Sequence, residues 1–260
     1  MSAAVAVSSP VRLRPTTQTS IGTTAFFRNR ALLDVVLGKI AQLPQTRISV
    51  LVHACSIGAE VWSLLIAARL DPRTRDKQIQ VVACDIAPEF IEYAQQGVYP
   101  RAVLAGMLRE EQACFEPHDT DSVRIRAEVR AQASFLPAQS LTDFRSEESF
   151  DVVLVLNALL YLPAQSQSQV LDNVARCNRA LLVTTGFHFD RIRGDMERNG
   201  YRPVPERARA VHDGWTDRRR SGAARDEVIP GKIFHAWSLP EFSEIEDYEY
   251  RYCAVFEKSR

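Results

Sequence analysis

The sequence predicts an α/β protein built on a doubly wound, mostly parallel sheet whose last strand is antiparallel. Three observations carry that prediction. A β-branched run, Ile48-Ser-Val-Leu-Val52, leads into a small-residue turn, His53-Ala-Cys-Ser-Ile-Gly-Ala-Glu60, and then into the apolar Val61–Leu70, long enough for a helix lying on a sheet. Strand and helix patterns continue to alternate as far as Asn199. The chain closes on Tyr248–Phe256, an alternating run near the preceding strand in sequence, which suits an antiparallel edge.

In chain order, Met1–Ser20 reads as a frayed tail, rich in Ser and Thr and without acidic residues. Thr24–Leu43 reads as a helix: Thr23 or Thr24 is its N-cap, Phe26, Phe27, Leu32, Leu33, Val36 and Ile40 form its apolar stripe, and Pro44 stops it. After the strand–turn–helix above, Ile79–Cys84 reads as the second strand and ends in Asp85. Pro88–Gln96 is a helix with proline in its first turn, closed by Gly97. Arg101–Cys114 reads as helical, and Ser122–Arg126 and Ala133–Leu136 as short strands. Phe150–Asn157 is nearly all apolar and belongs at a sheet centre. Pro163–Cys177 (helix), Ala180–Thr185 (strand) and Asp190–Asn199 (helix) follow, and the arginine-rich Asp213–Asp226 reads as an exposed loop. The domain reading is therefore a tail (1–20), an N-terminal helical segment (21–45) and one α/β domain (46–260). Within the last, 114–136 is expected as a small β insertion and 208–247 as a candidate lid.

Composition narrows the partners. With 260 residues, 46% hydrophobic, 25% charged and zero formal net charge, the chain matches an ordinary globular protein. It offers no electrostatic reason to expect nucleic acid or an anionic membrane as partner. No run reaches the length of a membrane-spanning helix. Five dispersed cysteines without a C-x-x-C pair read as reduced thiols, with Cys55, Cys84 and Cys253 in or beside strands, so a cytoplasmic location is expected. The histidines show no metal-ligand spacing, and no metal is expected. His188 is read as a structural histidine or a base, and Phe234, Trp237 and Phe242 as pocket wall or lid packing.

The chemistry concentrates at the carboxyl end of the first strand, where open α/β sheets take ligands. One glycine, Gly58, is too few for a dinucleotide fingerprint, which weakens a nicotinamide dehydrogenase reading. Asp85, at the end of the second strand, suits a ribose without a pyrophosphate, and the cofactor that fits is S-adenosyl-L-methionine (SAM). Asp85 also reads as a plain helix N-cap, Glu60 as a first-turn carboxylate favoured by the helix dipole, Arg28 as a solvated helix arginine, and Tyr161 as a packing aromatic.

Four segments in order resemble the CheR-type chemoreceptor glutamate methyltransferases. Thr24-Ala-Phe-Phe-Arg28 is similar to the family's T-x-F-F-R, and Ala54–Leu64 to its A-x-S-x-G-E-E-P-Y-S-L loop. Asp85-Ile through Gly97-Val-Tyr99 is similar to D-I-…-A-x-x-G-x-Y, and Phe150–Tyr161 to F-D-x-I-x-x-R-N-V-L-I-Y-F. The resemblance spans roughly residues 22 to 186 and implies the class I methyltransferase fold with SAM as cofactor. It implies that Thr24 and Arg28 hold the methionyl end, that Ala54 and Glu60 contact the cofactor from the first loop, and that Asp85 binds the ribose. It also places Ser140 and Leu141 at the adenine, makes Asn157, the asparagine of the R-N pair, a cofactor-binding residue, and sets Tyr161 near the transferring methyl, so Arg28 and Tyr161 are the expected catalytic residues.

The chain departs from the pattern at Gly22, Ala59, Val61 and Leu156, where the family has Asn, Glu, Pro and Arg. The turn Pro117–Asp121 is acidic where the family's receptor-docking turn is glycine-rich, most of the family's helical N-terminal domain is missing, and the stretch from Tyr201 onward is longer. The expectation is therefore methyl transfer to an oxygen or nitrogen nucleophile of a small-molecule acceptor. A protein glutamate or carboxyl acceptor is the alternative, and a non-catalytic SAM-binding or peptide-binding module the rival from another class.

Overall fold

The central strands of the main sheet are short, mostly apolar runs. A computed structural model describes residues 11–13, 22–186, 191–220, 242 and 247–259. Its strands are β1 (Val11–Leu13), β2 (Gly22–Thr24), β3 (Arg47–His53), β4 (Gln78–Cys84), β5 (Val98–Pro100), β6 (Phe115–Pro117), β7 (Ser122–Ile125), β8 (Ala133–Phe135), β9 (Phe150–Val155), β10 (Asn178–Thr184), β11 (Tyr201–Pro203) and β12 (Val255–Lys258). Seven of them form one sheet in the order β11-β12-β10-β9-β3-β4-β8. The β3–β4, β4–β8 and β9–β10 pairs are parallel, and β12 runs antiparallel to both neighbours. The chain thus steps outward from β3 through β4 to β8 and restarts at β9, the doubly wound pattern.

The helices are α1 (Arg30–Gln42), α2 (Ala59–Leu70), α3 (Pro88–Gln96), α4 (Arg109–Gln112), α5 (Ala127–Arg130), α6 (Ala164–Cys177), α7 (Ile192–Arg198), α8 (Ala208–Arg220) and α9 (Tyr248–Tyr252). The chain divides into two compact units, residues 1–28 with 37–140 and residues 29–36 with 141–260.

In the first unit, β3 pairs with β4 in continuous register from Arg47↔Gln78 to His53↔Cys84, so both strands end level. Helix α2 buries Val61, Trp62, Leu64, Leu65 and Ile66, as a helix apolar nearly all round must. Helix α3 stops where Gly97 adopts a left-handed φ of 64°, a C-cap that glycine takes without a Cβ penalty. Strands β5, β7 and β6 form a separate three-stranded sheet with Tyr99, Phe115, Val123 and Ile125 buried. In the second unit all six residues of β9 are buried, as expected for a central strand, and β10 covers it.

Several local expectations are corrected. The helix expected from Thr24 begins only at Arg30: Thr24 ends β2, which pairs with β1 inside the expected tail. Asn29 is the cap instead, its side chain accepting from Leu32 N–H at 3.0 Å. Residues 101–114 hold two short helical turns rather than one helix. The small sheet recruits β5, while β8 joins the main sheet. The arginine-rich stretch after Asp213 continues helix α8 to Arg220, and the alternating run at the end splits into α9 and β12. β12 is also not the edge, because β11 pairs along its far side. Tyrosine alternation misled there: Tyr252 is buried as one face of a short helix. His188, Phe234 and Trp237 lie outside the described residues, as does most of the expected lid.

Candidate functional site

The loop after β3 is held in a conformation that ordinary side chains rarely adopt. Ala54, Ser56 and Gly58 have φ values of 59°, 50° and 85°. Ala54 and Ser56 carry a Cβ and store strain there, which persists only where the surroundings fix it, whereas Gly58 takes its φ without that penalty. Those surroundings are visible. Cys55 N–H donates to Cys84 O at 3.0 Å, Gly58 N–H to Cys55 O at 2.9 Å, and Ala54 N–H to His53 Nδ1 at 2.8 Å. His53 is fully buried, and desolvation pulls its pKa down to about 4, which keeps the ring neutral and Nδ1 an acceptor. Gly58 has a packing reason as well: a Cβ there would sit 2.8 Å from Ala94 Cβ.

Asp85 closes the loop from the neighbouring strand end. Its Oδ2 accepts from Ser56 N–H at 2.8 Å and its Oδ1 from Ala87 N–H at 3.1 Å. The second bond is the local, cap-like arrangement; the first reaches across to the β3 loop. Burial raises the Asp85 pKa above the usual 3.8, with the backbone N–H bonds partly offsetting it. A carboxylate offers about four acceptor positions, so capacity remains for hydroxyl donors. Gln139 N–H donates to Asp85 O at 3.0 Å and Leu136 N–H to Ala83 O at 2.9 Å, so the segment leading to Ser140 runs beside the end of β4. Ile86 follows Asp85 with its side chain 53% exposed, an apolar surface at the strand end.

The T-x-F-F-R-like segment docks on the first turn of α2. Thr24 Oγ1 donates to Glu60 Oε2 at 2.6 Å. Phe27 N–H donates to Ser63 Oγ at 2.8 Å, and the Ser63 hydroxyl in turn donates to Ala59 O at 2.7 Å. Phe26 is wholly buried, edge-on to Tyr99 and Phe115 with ring centroids 4.9 and 5.5 Å away. The phenylalanine is an anchor, and Arg28 follows it half-buried. Thr24, Arg28, Ala54, Glu60, Asp85 and Ser140 thus all lie in the first unit, on four segments tied to one another by the bonds above. Leu141, Asn157 and Tyr161 lie in the second. There Asn157 follows β9 with a φ of 52°, its backbone N–H donating to Thr185 Oγ1 at 3.3 Å, and Tyr161 is 49% exposed.

Sequence reasoning assigned no role to Ser56, Ser63, His53, Ile86 or Tyr99. Ser63 and Tyr99 stood inside the quoted motifs, so the signal was present; His53 carried none beyond its place at a strand end.

The CheR methyltransferase SAM-binding domain matches residues 22–183. The chain belongs to the CheR methyltransferase family. A chemotaxis protein methyltransferase of Listeria innocua is 28% identical over 160 residues, covering 60% of this chain and 60% of that protein. A chemotaxis protein methyltransferase of Pseudomonas putida is 26% identical over 159 residues, covering 57% and 58%. The chain spans about 60% of the length of the curated relatives it matches. Among solved structures, magnesium protoporphyrin IX methyltransferase of Synechocystis with bound SAM is 20% identical with a TM-score of 0.41, over 66% of this chain and 68% of that one.

SAM is therefore the cofactor that family membership names, and the loop chemistry fits it. Ser56 Oγ is buried without a hydrogen-bond partner among the described residues, beside a carboxylate that retains acceptor capacity. A nucleoside with two vicinal hydroxyls satisfies such a pair. Among the described residues no helix is long and apolar enough to cross a membrane.

Proposed function

We propose that this CheR-family chain is a methyltransferase that holds SAM in the first unit and passes its methyl group to a carboxylate oxygen of a protein side chain. The observation that carries the cofactor half is the Ser56–Asp85 bond, which joins the strained β3 loop to the carboxylate ending β4. In this reading Asp85 accepts from the ribose hydroxyls, and Ile86 lies under the adenine with Ser140 and Leu141 beside it. Thr24, Ala54 and Glu60 line the cofactor, and Arg28 binds its carboxylate by a charge-assisted bond. Asn157 is assigned to the cofactor and Tyr161 to the transferring methyl and its acceptor.

When bound, SAM supplies an electrophilic methyl on a positively charged sulfur. The residues need only align the acceptor and exclude water. A carboxylate acceptor is already deprotonated near neutral pH and needs no general base. The relatives' shared name as chemotaxis protein methyltransferases supports a protein acceptor. A small-molecule acceptor is the second reading, favoured by the turn at Pro117–Asp121: Asp119 is fully exposed there, its side chain spent on the N–H groups of Asp121 and Ser122.

Incubation with methyl-labelled SAM and bacterial membrane and cytosolic protein fractions tests the acceptor. Label that stays on protein and is released as methanol by mild base identifies a carboxyl ester. Label confined to a small-molecule fraction overturns the protein reading in favour of the second.

A further inference from the structure

The phenol of Tyr99 sits between the small sheet and the cofactor loop. Its backbone belongs to β5, where it pairs with Val123 of β7. Its ring is completely buried, edge-on to Phe26 of the T-x-F-F-R-like segment and to Tyr93 of α3, at centroid distances of 4.9 and 5.5 Å. Its hydroxyl accepts from Trp62 Nε1 at 2.8 Å and donates to Ile57 O at 2.6 Å. Ile57 is the residue between the two left-handed positions Ser56 and Gly58. One oxygen therefore fixes the middle of the strained loop from a different secondary-structure element.

From this juxtaposition we infer that Tyr99 is a positioning residue for the cofactor loop: held by Trp62, its hydroxyl fixes the Ile57 carbonyl and thereby the Ser56 N–H that meets Asp85. The inference rests on the assignment of this loop to SAM. The bond is directional, since a carbonyl only accepts, so the phenol must donate to Ile57 and accept from the indole. Burial pushes the Tyr99 pKa well above 10, which keeps the donor proton in place at every working pH. Ala54 and Ser56, the two non-glycine residues at left-handed φ, relax toward ordinary values once a restraint is lost, and Ser56 N–H then leaves Asp85. The same bond joins the small sheet to the loop, so a displacement of β5 reaches Ile57 without crossing another element.

Tyr99→Phe removes the hydroxyl and keeps the ring, at the cost of orphaning the Trp62 indole N–H. Trp62→Phe combined with Tyr99→Phe removes that orphan and leaves only the Ile57 carbonyl unheld. Two readouts separate the questions. Amide exchange of ligand-free protein over residues 54–60 reads the hold on the loop. Calorimetric titration with S-adenosylhomocysteine (SAH) reads its consequence for the site.

In Tyr99→Phe, exchange at Ser56 and Gly58 should quicken and the SAH dissociation constant should rise about tenfold, the scale of one lost hydrogen bond. In the double variant the affinity should stay weak although the orphaned indole N–H is gone; its thermal midpoint also carries the volume lost at the fully buried Trp62. Unchanged exchange in Tyr99→Phe overturns the inference, and so does wild-type affinity in the double variant, because the orphaned indole rather than the unheld Ile57 carbonyl would then be the cause. If wild type binds no SAH, the cofactor assignment falls, and exchange alone still decides whether Tyr99 holds the loop.

Discussion

The Thr24 hydroxyl donates to the Glu60 carboxylate across 36 residues of sequence, at 2.6 Å, tying the segment that ends in Arg28 to the helix that opens behind the β3 loop. A hydrogen bond to a charged acceptor contributes about 1.5–3 kcal/mol, and this one is part-buried. A double-mutant cycle of Thr24→Val and Glu60→Gln, read by urea unfolding, should give a coupling of about 1 kcal/mol or more. Additive effects would show that the two side chains act separately.

Ser63 is the second latch of the same segment. Ser63→Ala leaves the buried Phe27 N–H without its acceptor. Such a group costs about 1–3 kcal/mol, so the variant should unfold at lower denaturant with an unchanged slope. A midpoint equal to wild type would mean that Phe27 finds another partner.

Two buried groups under the loop give opposite pH dependences. The His53 pKa is depressed from 6.5 to about 4, so its contribution to stability is full above pH 6.5 and is lost as pH falls toward 4. The shift corresponds to roughly 3 kcal/mol at most. The Asp85 pKa is raised, so its contribution is greatest below the usual 3.8 and is lost as pH rises through the elevated value. Between pH 6.5 and 4 the histidine contribution is the one that falls. Wild type should lose stability across that window, and His53→Gln should flatten the profile; an equally steep variant would assign the loss elsewhere.

Gly58 tests the packing account of the loop. Gly58→Ala forces an L side chain to a φ of 85° and a Cβ to 2.8 Å from Ala94 Cβ. The left-handed conformation alone costs about 1–2 kcal/mol. Adding Ala94→Gly should relieve the contact and not the backbone strain, so stability should recover in part. Full recovery would mean that φ carries no penalty here; none would mean that Ala94 is not the obstacle.

The sheet was legible because β3, β4, β9 and β10 are rich in β-branched and apolar residues, and the local pattern and the tertiary demand agree. The small elements were not. Thr24 reads as an N-cap by type, yet its hydroxyl is claimed by Glu60 far along the chain, and Asn29 caps the helix instead. β8 has only three residues and is a strand of the main sheet by virtue of its partner β4. Tyr248–Phe256 alternates like a strand and bends into α9 before β12. Asp85 and Glu60 were visible at the ends of strong elements. Ser56 meets Asp85 through its own backbone N–H, and Ser63 and Tyr99 bond backbone atoms of distant residues; the motifs contain these residues, but no spacing pattern encodes their partners.

The central claim is that the β3 loop and Asp85 form the SAM site. Calorimetric titration of wild type and Asp85→Asn with SAH, repeated as the pH is lowered, addresses it most directly. Ribose hydroxyls favour the ionised carboxylate. Wild-type affinity should therefore weaken on acidification at a pH above that of an ordinary aspartate, whereas Asp85→Asn should bind at least tenfold more weakly and show no such dependence. Equal affinity in the two proteins, or no binding by wild type, would contradict the assignment.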